Sequence, residues 1–293
     1  MDTESSTMIV VQLKGGLGNQ LFQYAAGLAL RQMHNCELRI DTSFYTTTQE
    51  RKFDLDYLNI DYVVADAAVL RKFELPIYRK VWNRIAPMPF KRVYREASFA
   101  YDPKFNTLQP PIYLKGYWQS AKYFEPFASV IAEAFTVREL YIQHLAALIR
   151  DMSQHNSVAV HIRRGDYLRP EFVNVHGVLD VAYYKRAIQT MQQRYGNCTF
   201  YFFSDDIDWV QQNLPLKDMS YVFVSGYITH NAIEDFYAMQ YCQHNIIANS
   251  SFAWWAAWLN RHDHKHVIAP MQWFAPQNKQ STQDLIPASW ERL

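Results

Sequence analysis

The chain has 293 residues, 49% hydrophobic and 19% charged, which is enough apolar side chain for one large or two modest cores and excludes general disorder. Its 29 Lys and Arg against 28 Asp and Glu leave a net charge of +1, which argues against wholesale nucleic-acid binding through a basic surface. Cys36, Cys198 and Cys242 are dispersed with no CxxC spacing, and no apolar run is long enough to span a bilayer. Neither a disulfide framework nor a cysteine zinc site is expected, and a cytoplasmic setting is.

In chain order, residues 9–13 read as a strand, 15–18 as a glycine turn, 19–33 as a helix and 37–41 as a second strand, the start of an α/β unit. From 43 to 111 the pattern breaks into short elements punctuated by prolines. Within this stretch, residues 71–95 hold eight basic side chains and one acid, Glu74, a local net charge of +7. Interleaved Tyr78, Trp82, Ile85 and Phe90 make the segment amphipathic, either an ordinary solvated face or a helix lying peripherally on an anionic membrane. Later strands are expected at 158–163, 199–204, 221–224, 245–248 and 266–269, separated by helical periodicity at 181–194 and 235–242. This alternation predicts a parallel sheet covered on both faces. The polar stretch 150–157 is the expected hinge between an N-terminal domain, 1–150, and a C-terminal domain, 151–293.

Three motifs carry chemistry. The apolar strand 158–163 runs into His161, Arg163, Arg164, Gly165 and Asp166, at the strand end where α/β folds hold ligands. A guanidinium matches phosphate bidentately and stays charged at any working pH, while Asp166 can return to clamp one arginine. Phosphate binding and a structural Arg–Asp pair are both open readings. Asn249, Ser250, Ser251 and Phe252 follow another apolar strand, and small hydroxyl residues opening a helix present N–H donors to an anion or simply cap the helix. Upstream, Glu234 and Asp235 open a helix, where carboxylates either favour the dipole or accept from a guanine edge. The turn Gly15-Gly16-Leu17-Gly18-Asn19 resembles a dinucleotide loop but has Leu21 where the third glycine belongs, which disfavours a nicotinamide site. Two weaker patterns look like metal sites: Asp205-Asp206 after a strand, and alternating His262, His264 and His266.

Together these motifs resemble the α-1,2-fucosyltransferases of glycosyltransferase family 11: GGLGNQLFQYA at 15–25, HIRRGDY at 161–167, FSDD at 203–206 and AIEDFYAMQYCQHNIIANSSFAWWAAWL at 232–259, in order and spacing. The resemblance covers nearly the whole chain, with 43–111 matching only loosely. It implies a GT-B-type α/β fold of two Rossmann-like domains facing a cleft, with the N-terminal one on the acceptor side. It also implies metal-independent use of GDP-fucose and inverting transfer to the 2-hydroxyl of a galactose-terminated oligosaccharide or lipid-linked glycan, in bacterial surface-polysaccharide assembly. By resemblance Arg163, with Arg164, holds the β-phosphate; His161 and Asp235 contact guanosine; Ser250 and Ser251 lie at the diphosphate, with Asn249 and Phe252 also in the donor site; Gly16, Gly18 and Asn19 approach phosphate or fucose; and Asp205 and Asp206 are structural. Glu171, His176, Asp180 and Asp41 are candidates for the base that takes the acceptor proton. A transferase of another nucleotide sugar, or a binding protein without turnover, are the alternative readings.

Overall fold

The computed structural model describes residues 7–48 and 50–293. The chain divides into two compact units, one running to Thr136 and including Ser281–Pro287, the other comprising Val137–Gln280 and Ala288–Leu293. The expected boundary at 150/151 is therefore displaced. Residues 150–157 hold no hinge: helix Ala146–Ser153 turns there into the first strand of the second unit, with Met152 fully buried and Tyr201 Oη donating to Asp151 at 2.6 Å. The polar side chains mark a turn inside one unit.

In the first unit β1 (Met8–Gln12), β2 (Glu37–Asp41), β3 (Val63–Val64), β4 (Val93–Arg95) and β5 (Ile112–Lys115) form a parallel sheet in the order β3-β2-β1-β5-β4. The central strand β1 is buried along its apolar run, as a strand covered on both faces requires. Helix Leu17–His34 starts two residues earlier than its periodicity predicts, because Gly15, with φ +82°, completes the turn and Gly16 takes the cap position. Its small residues Ala25, Ala26, Gly27 and Ala29 let it lie close on the sheet. A Cβ added at Gly27 would sit 2.9 Å from Leu38 Cδ1 and 3.2 Å from Val11 Cγ1. Asn35, in the left-handed conformation, ends the helix.

Between β2 and β5 the chain is made of short pieces, as the prolines predict. The basic segment 71–95 starts at the end of helix Ala67–Arg71 and holds helix Ile77–Ile85 and a 3-10 turn at Met88–Phe90: Pro76 opens the longer helix, and Pro87 and Pro89 lie beyond its end at Ile85, before the chain enters β4. Among the described residues, no helix is long and apolar enough to cross a membrane.

In the second unit β6 (Asn156–Ile162), β7 (Cys198–Ser204), β8 (Ser220–Phe223), β9 (His244–Ile246), β10 (Val267–Ala269) and β11 (Glu291–Arg292) pair in parallel in the order β11-β10-β9-β6-β7-β8. Chain order runs outward from β6 through β7 to β8, then reverses at β9, giving the doubly wound arrangement with its switch point between β6 and β9. Val158, Val160, Phe200 and Phe202 pack beneath Tyr184, Ala187, Ile188 and Met191 of helix Val181–Tyr195. The five expected strands are present with ends moved by at most two residues. The two-residue β11 is too short to show periodicity. His262 and His264 lie in a turn before β10, so the alternating histidines share no strand face, and His266 instead pairs with Glu291 at 2.7 Å.

Gly27→Val is expected to lower unfolding free energy by about 1–3 kcal/mol through overpacking at the helix–sheet seam, read as a shifted urea midpoint at unchanged slope. An unmoved midpoint would mean that Leu38 and Val11 yield without cost.

Candidate functional site

At the switch point of the second unit the carboxyl ends of β6 and β9 lie side by side, Val160 in register with Ile246. Chain leaving β6 brings two guanidiniums and a carboxylate. Arg163 pairs with Asp166 at 2.7 Å and with Asp205, beyond β7, at 3.2 Å. Arg164 pairs with Asp206 at 3.4 Å, stacks 4.0 Å over the Trp209 ring, and donates its backbone N–H to Asp205 at 2.9 Å. Gly165 is needed for this approach rather than for a left-handed turn: a Cβ there would lie 2.7 Å from Asp205 Oδ2. Asp206 also caps helix Ile207–Asn213 through Trp209 N–H. Both readings of the motif thus meet in one cluster, where arginines with five N–H donors each are oriented by acids and remain partly exposed.

Beside them the nine-residue helix Ser251–Leu259 opens directly after β9. Its cap residue Ser250 makes no side-chain bond to the first turn, so N–H groups there have no hydroxyl cap. The Phe252 ring lies 5.8 Å from the His161 ring and 5.4 Å from Phe236. His161 is buried, and its Nδ1 has no partner. Burial, with Arg163 adding to it, pushes its pKa down to about 3, so the imidazole is neutral.

Two predicted site residues face inward. Asn249 donates Nδ2 to the carbonyls of His176 and Trp273 at 2.9 and 3.0 Å, while Tyr167 Oη donates to the Asn249 carbonyl at 3.1 Å, tying the loops after β6, β9 and β10 together. Asp235 accepts from the hydroxyls of Ser225, at 2.7 Å, and Thr229, and so braces the loop after β8. Burial raises its pKa to about 6 against those hydrogen bonds.

The first unit presents its own reversal, between β1 and β5. Gly16 caps helix Leu17–His34 and Gly18 is buried within it. Asn19 accepts from Gln119 Nε2 at 2.8 Å, and its side chain fills the space beside Gly15. Two buried glutamines hold this loop. Gln20 Nε2 donates to the Gly15 and Lys52 carbonyls at 3.1 and 2.8 Å. Gln23 accepts from Lys14 N–H at 2.9 Å and donates to the Gly116 carbonyl at 3.2 Å.

A cavity of about 1530 Å³ opens in the same unit, lined among others by Asp41, Lys80, Tyr94, Arg95, Glu96 and Lys115, larger than the ~300–1,000 Å³ usual for small-molecule sites. Asp41 accepts there from Tyr113 Oη and from Ser43 N–H. Glu96 accepts from the backbone N–H groups of Tyr117 and Trp118 at 2.6 and 3.0 Å, across Gly116, where a Cβ would lie 2.5 Å from Glu96 Cβ. Burial drives the Glu96 carboxyl up to about 7, against the pull of those N–H groups and of Lys14.

With this geometry in hand, comparison with known proteins decides the family. The Glycosyl transferase family 11 model matches residues 1–293. The chain belongs to glycosyltransferase family 11. It is 34% identical to an Escherichia coli alpha-1,2-colitosyltransferase, over 98% of this chain and 99% of that protein. It is 24% identical to the mouse galactoside 2-alpha-L-fucosyltransferase Sec1, over 87% of this chain and 65% of that one. Among solved structures, an Arabidopsis thaliana FUT1 variant in complex with GDP superimposes with a TM-score of 0.55 at 11% identity, over 89% of this chain and 70% of that one, which shows the shared fold, GT-B-type with two Rossmann-like units.

Of this glycosyltransferase's four candidate bases, Asp41 lines the cavity. Asp180 caps helix Val181–Tyr195, Glu171 stands exposed in the first turn of helix Pro170–His176, and the His176 ring stacks on Tyr167 at 4.7 Å. Glu96, Gln20 and Gln23 went unseen in the sequence. The glutamines sit inside the GGLGNQLFQYA run and could have been flagged as amides within an otherwise apolar helix face. Glu96 carries no local signal.

Because Glu96 binds its proton more tightly folded than unfolded, its contribution is fully present below about pH 4.5 and is lost as pH rises towards 7. The stability advantage of wild type over Glu96→Gln should therefore shrink across that window, by about 3 kcal/mol at most, in urea titrations at stepped pH. A constant difference would show that the carboxyl is not held protonated.

Proposed function

We propose that this family 11 glycosyltransferase moves L-fucose, with inversion, from GDP-β-L-fucose to the 2-hydroxyl of a galactose-type acceptor, forming an α-1,2 linkage. One observation carries the donor half of this reading: partly exposed guanidiniums and an uncapped helix N-terminus flank the switch point of the second unit, where a diphosphate finds both bidentate donors and oriented N–H groups. The α-1,2 linkage in the printed names of the bacterial and mouse relatives supports the transfer half.

As the fucose C1–O bond breaks, its electron pair passes to the β-phosphate, and the sugar gains oxocarbenium character. Arg163, already aimed by Asp166 and Asp205, meets that charge without reorganisation, and Arg164 and the first turn of helix Ser251–Leu259 add to it. Neutral His161 offers the nucleobase a hydrogen bond and Phe252 an apolar edge. The acceptor 2-hydroxyl attacks the opposite face of C1, and its proton passes to a base, for which Asp41, Glu171, His176 and Asp180 are the candidates. No metal enters this scheme, because Asp205 and Asp206 are engaged by the arginines and by a helix cap.

A second donor is favoured by the 34% identity to a colitosyltransferase, colitose being L-fucose without its 3-hydroxyl. A pocket that hydrogen-bonds that hydroxyl rejects the deoxy sugar by roughly 10⁴-fold or more, whereas a merely apolar pocket separates the two by only about 10²-fold.

NMR of the product formed from GDP-fucose and lactose should show a fucose α-1,2-linked to galactose; another linkage, or GDP release without a disaccharide bond, defeats the proposal. Competition between GDP-fucose and GDP-colitose ranks the donors. Arg163→Ala should lower kcat at least about 10²-fold, the scale of removing one preorganised charge donor. Near-normal turnover would remove Arg163 from the reaction. Activity should persist in EDTA, and its loss with recovery on adding Mg²⁺ would return Asp205 and Asp206 to consideration as ligands.

A further inference from the structure

A surface helix of a globular protein turns its apolar stripe inward and its charges outward. Helix Ile77–Ile85 buries none of its residues and leaves its apolar stripe outward. Ile77, Tyr78, Val81, Trp82 and Ile85, spaced to form one face, are 80, 69, 59, 57 and 71% exposed, and Phe90 just beyond is 67% exposed. The polar side, Lys80, Asn83 and Arg84, lines the cavity of the first unit.

This orientation is fixed by hydrogen bonds. Asn83 donates Nδ2 to the Val93 carbonyl at 2.7 Å and accepts at Oδ1 from Arg92 and Val93 N–H at 2.7 and 3.0 Å. Lys91 Nζ donates to the carbonyls of Asn83 and Arg84 at 2.7 and 3.1 Å. Rolling the apolar face inward would break all five bonds, so it remains turned to the surroundings.

Charge selects what covers it. Residues 71–95 carry +7 while the whole chain carries +1, so the segment repels a second copy of itself. A nucleic acid satisfies the basic residues and leaves five contiguous apolar side chains wet. An anionic bilayer satisfies both, since Trp, Tyr and Phe favour the headgroup boundary and Lys and Arg pair with lipid phosphates.

We propose that helix Ile77–Ile85, with Phe90, docks the first unit onto an anionic lipid bilayer. The docking argument stands apart from the proposed chemistry; one corollary rests on it, that the cavity sharing Lys80, Asn83 and Arg84 with this helix receives an acceptor sugar anchored in the same bilayer.

The test is flotation of the full chain with vesicles of phosphatidylglycerol and phosphatidylcholine against phosphatidylcholine alone. Expected are binding to the anionic vesicles, at least about tenfold weaker binding to the neutral ones, and decline with added salt. Trp82→Ser with Ile85→Ser should weaken binding at least about tenfold, and Arg79→Gln about fivefold. Unchanged urea midpoints in these variants show that folding is not the cause, as expected for exposed positions. Equal binding of wild type and the double variant, equal binding to both vesicle types, or none to the anionic one overturns the proposal. So does self-association that the double variant abolishes while vesicle binding is absent. Transfer to free lactose should be unchanged in the double variant, whereas transfer to a galactolipid in anionic vesicles should fall. If neither acceptor is fucosylated by any form, the transferase reading fails while the flotation result still decides the docking.

Discussion

At the end of β6 two arginines are held in fixed directions by three acids. Asp205 reaches Arg163 and the backbone of Arg164 only because Gly165 leaves no side chain in its path. Part-exposed ion pairs of this kind contribute about 0–1 kcal/mol each to stability, too little to account for gathering three acids and two arginines at one strand end for the sake of the fold. What they fix is direction. Guanidiniums held before a ligand arrives need no reorganisation when charge develops, and in an electrostatic mechanism that is where most of the benefit lies.

The first unit solves a similar problem with different means. Its loop after β1 is held not by charge but by amides: Gln20 and Gln23, both fully buried, bond to carbonyls and N–H groups of the loops on either side. A buried amide left unpaired costs about 1–3 kcal/mol, so these side chains penalise any rearrangement of the glycine turn they brace. The turn is conformationally free in its residues and restrained by its surroundings.

Much of this was legible in the sequence because periodicity reports burial. The strands of the second unit are continuous apolar runs, the helix 181–195 is strongly periodic, and both lie within two residues of where pattern reading puts them. The motifs at 161–167 and 249–252 were legible as lying at strand ends, whereas their being neighbours comes from the strand order. Other features depend on partners distant in sequence. Polar residues 150–157 read as a hinge, yet the chain there turns from helix to strand within one unit. Glu96 becomes protonation-prone only because β4 sets it under Gly116. The amphipathic pattern at 77–85 was plain, but which face looks outward is set by Asn83 and Lys91, whose bonds no helical wheel contains.

The C-terminal region crosses back into the first unit over Ser281–Pro287, where Asp284 accepts from Tyr101 N–H at 2.9 Å and Lys122 Nζ at 2.5 Å, before Ala288–Leu293 rejoins the second unit and supplies β11. On the ribosome, the first unit therefore emerges early but waits for the synthesis of Ser281–Pro287 to receive this strap. Its maturation is coupled to synthesis of the second unit, and a product terminated before Ser281 would lack a piece of both units at once.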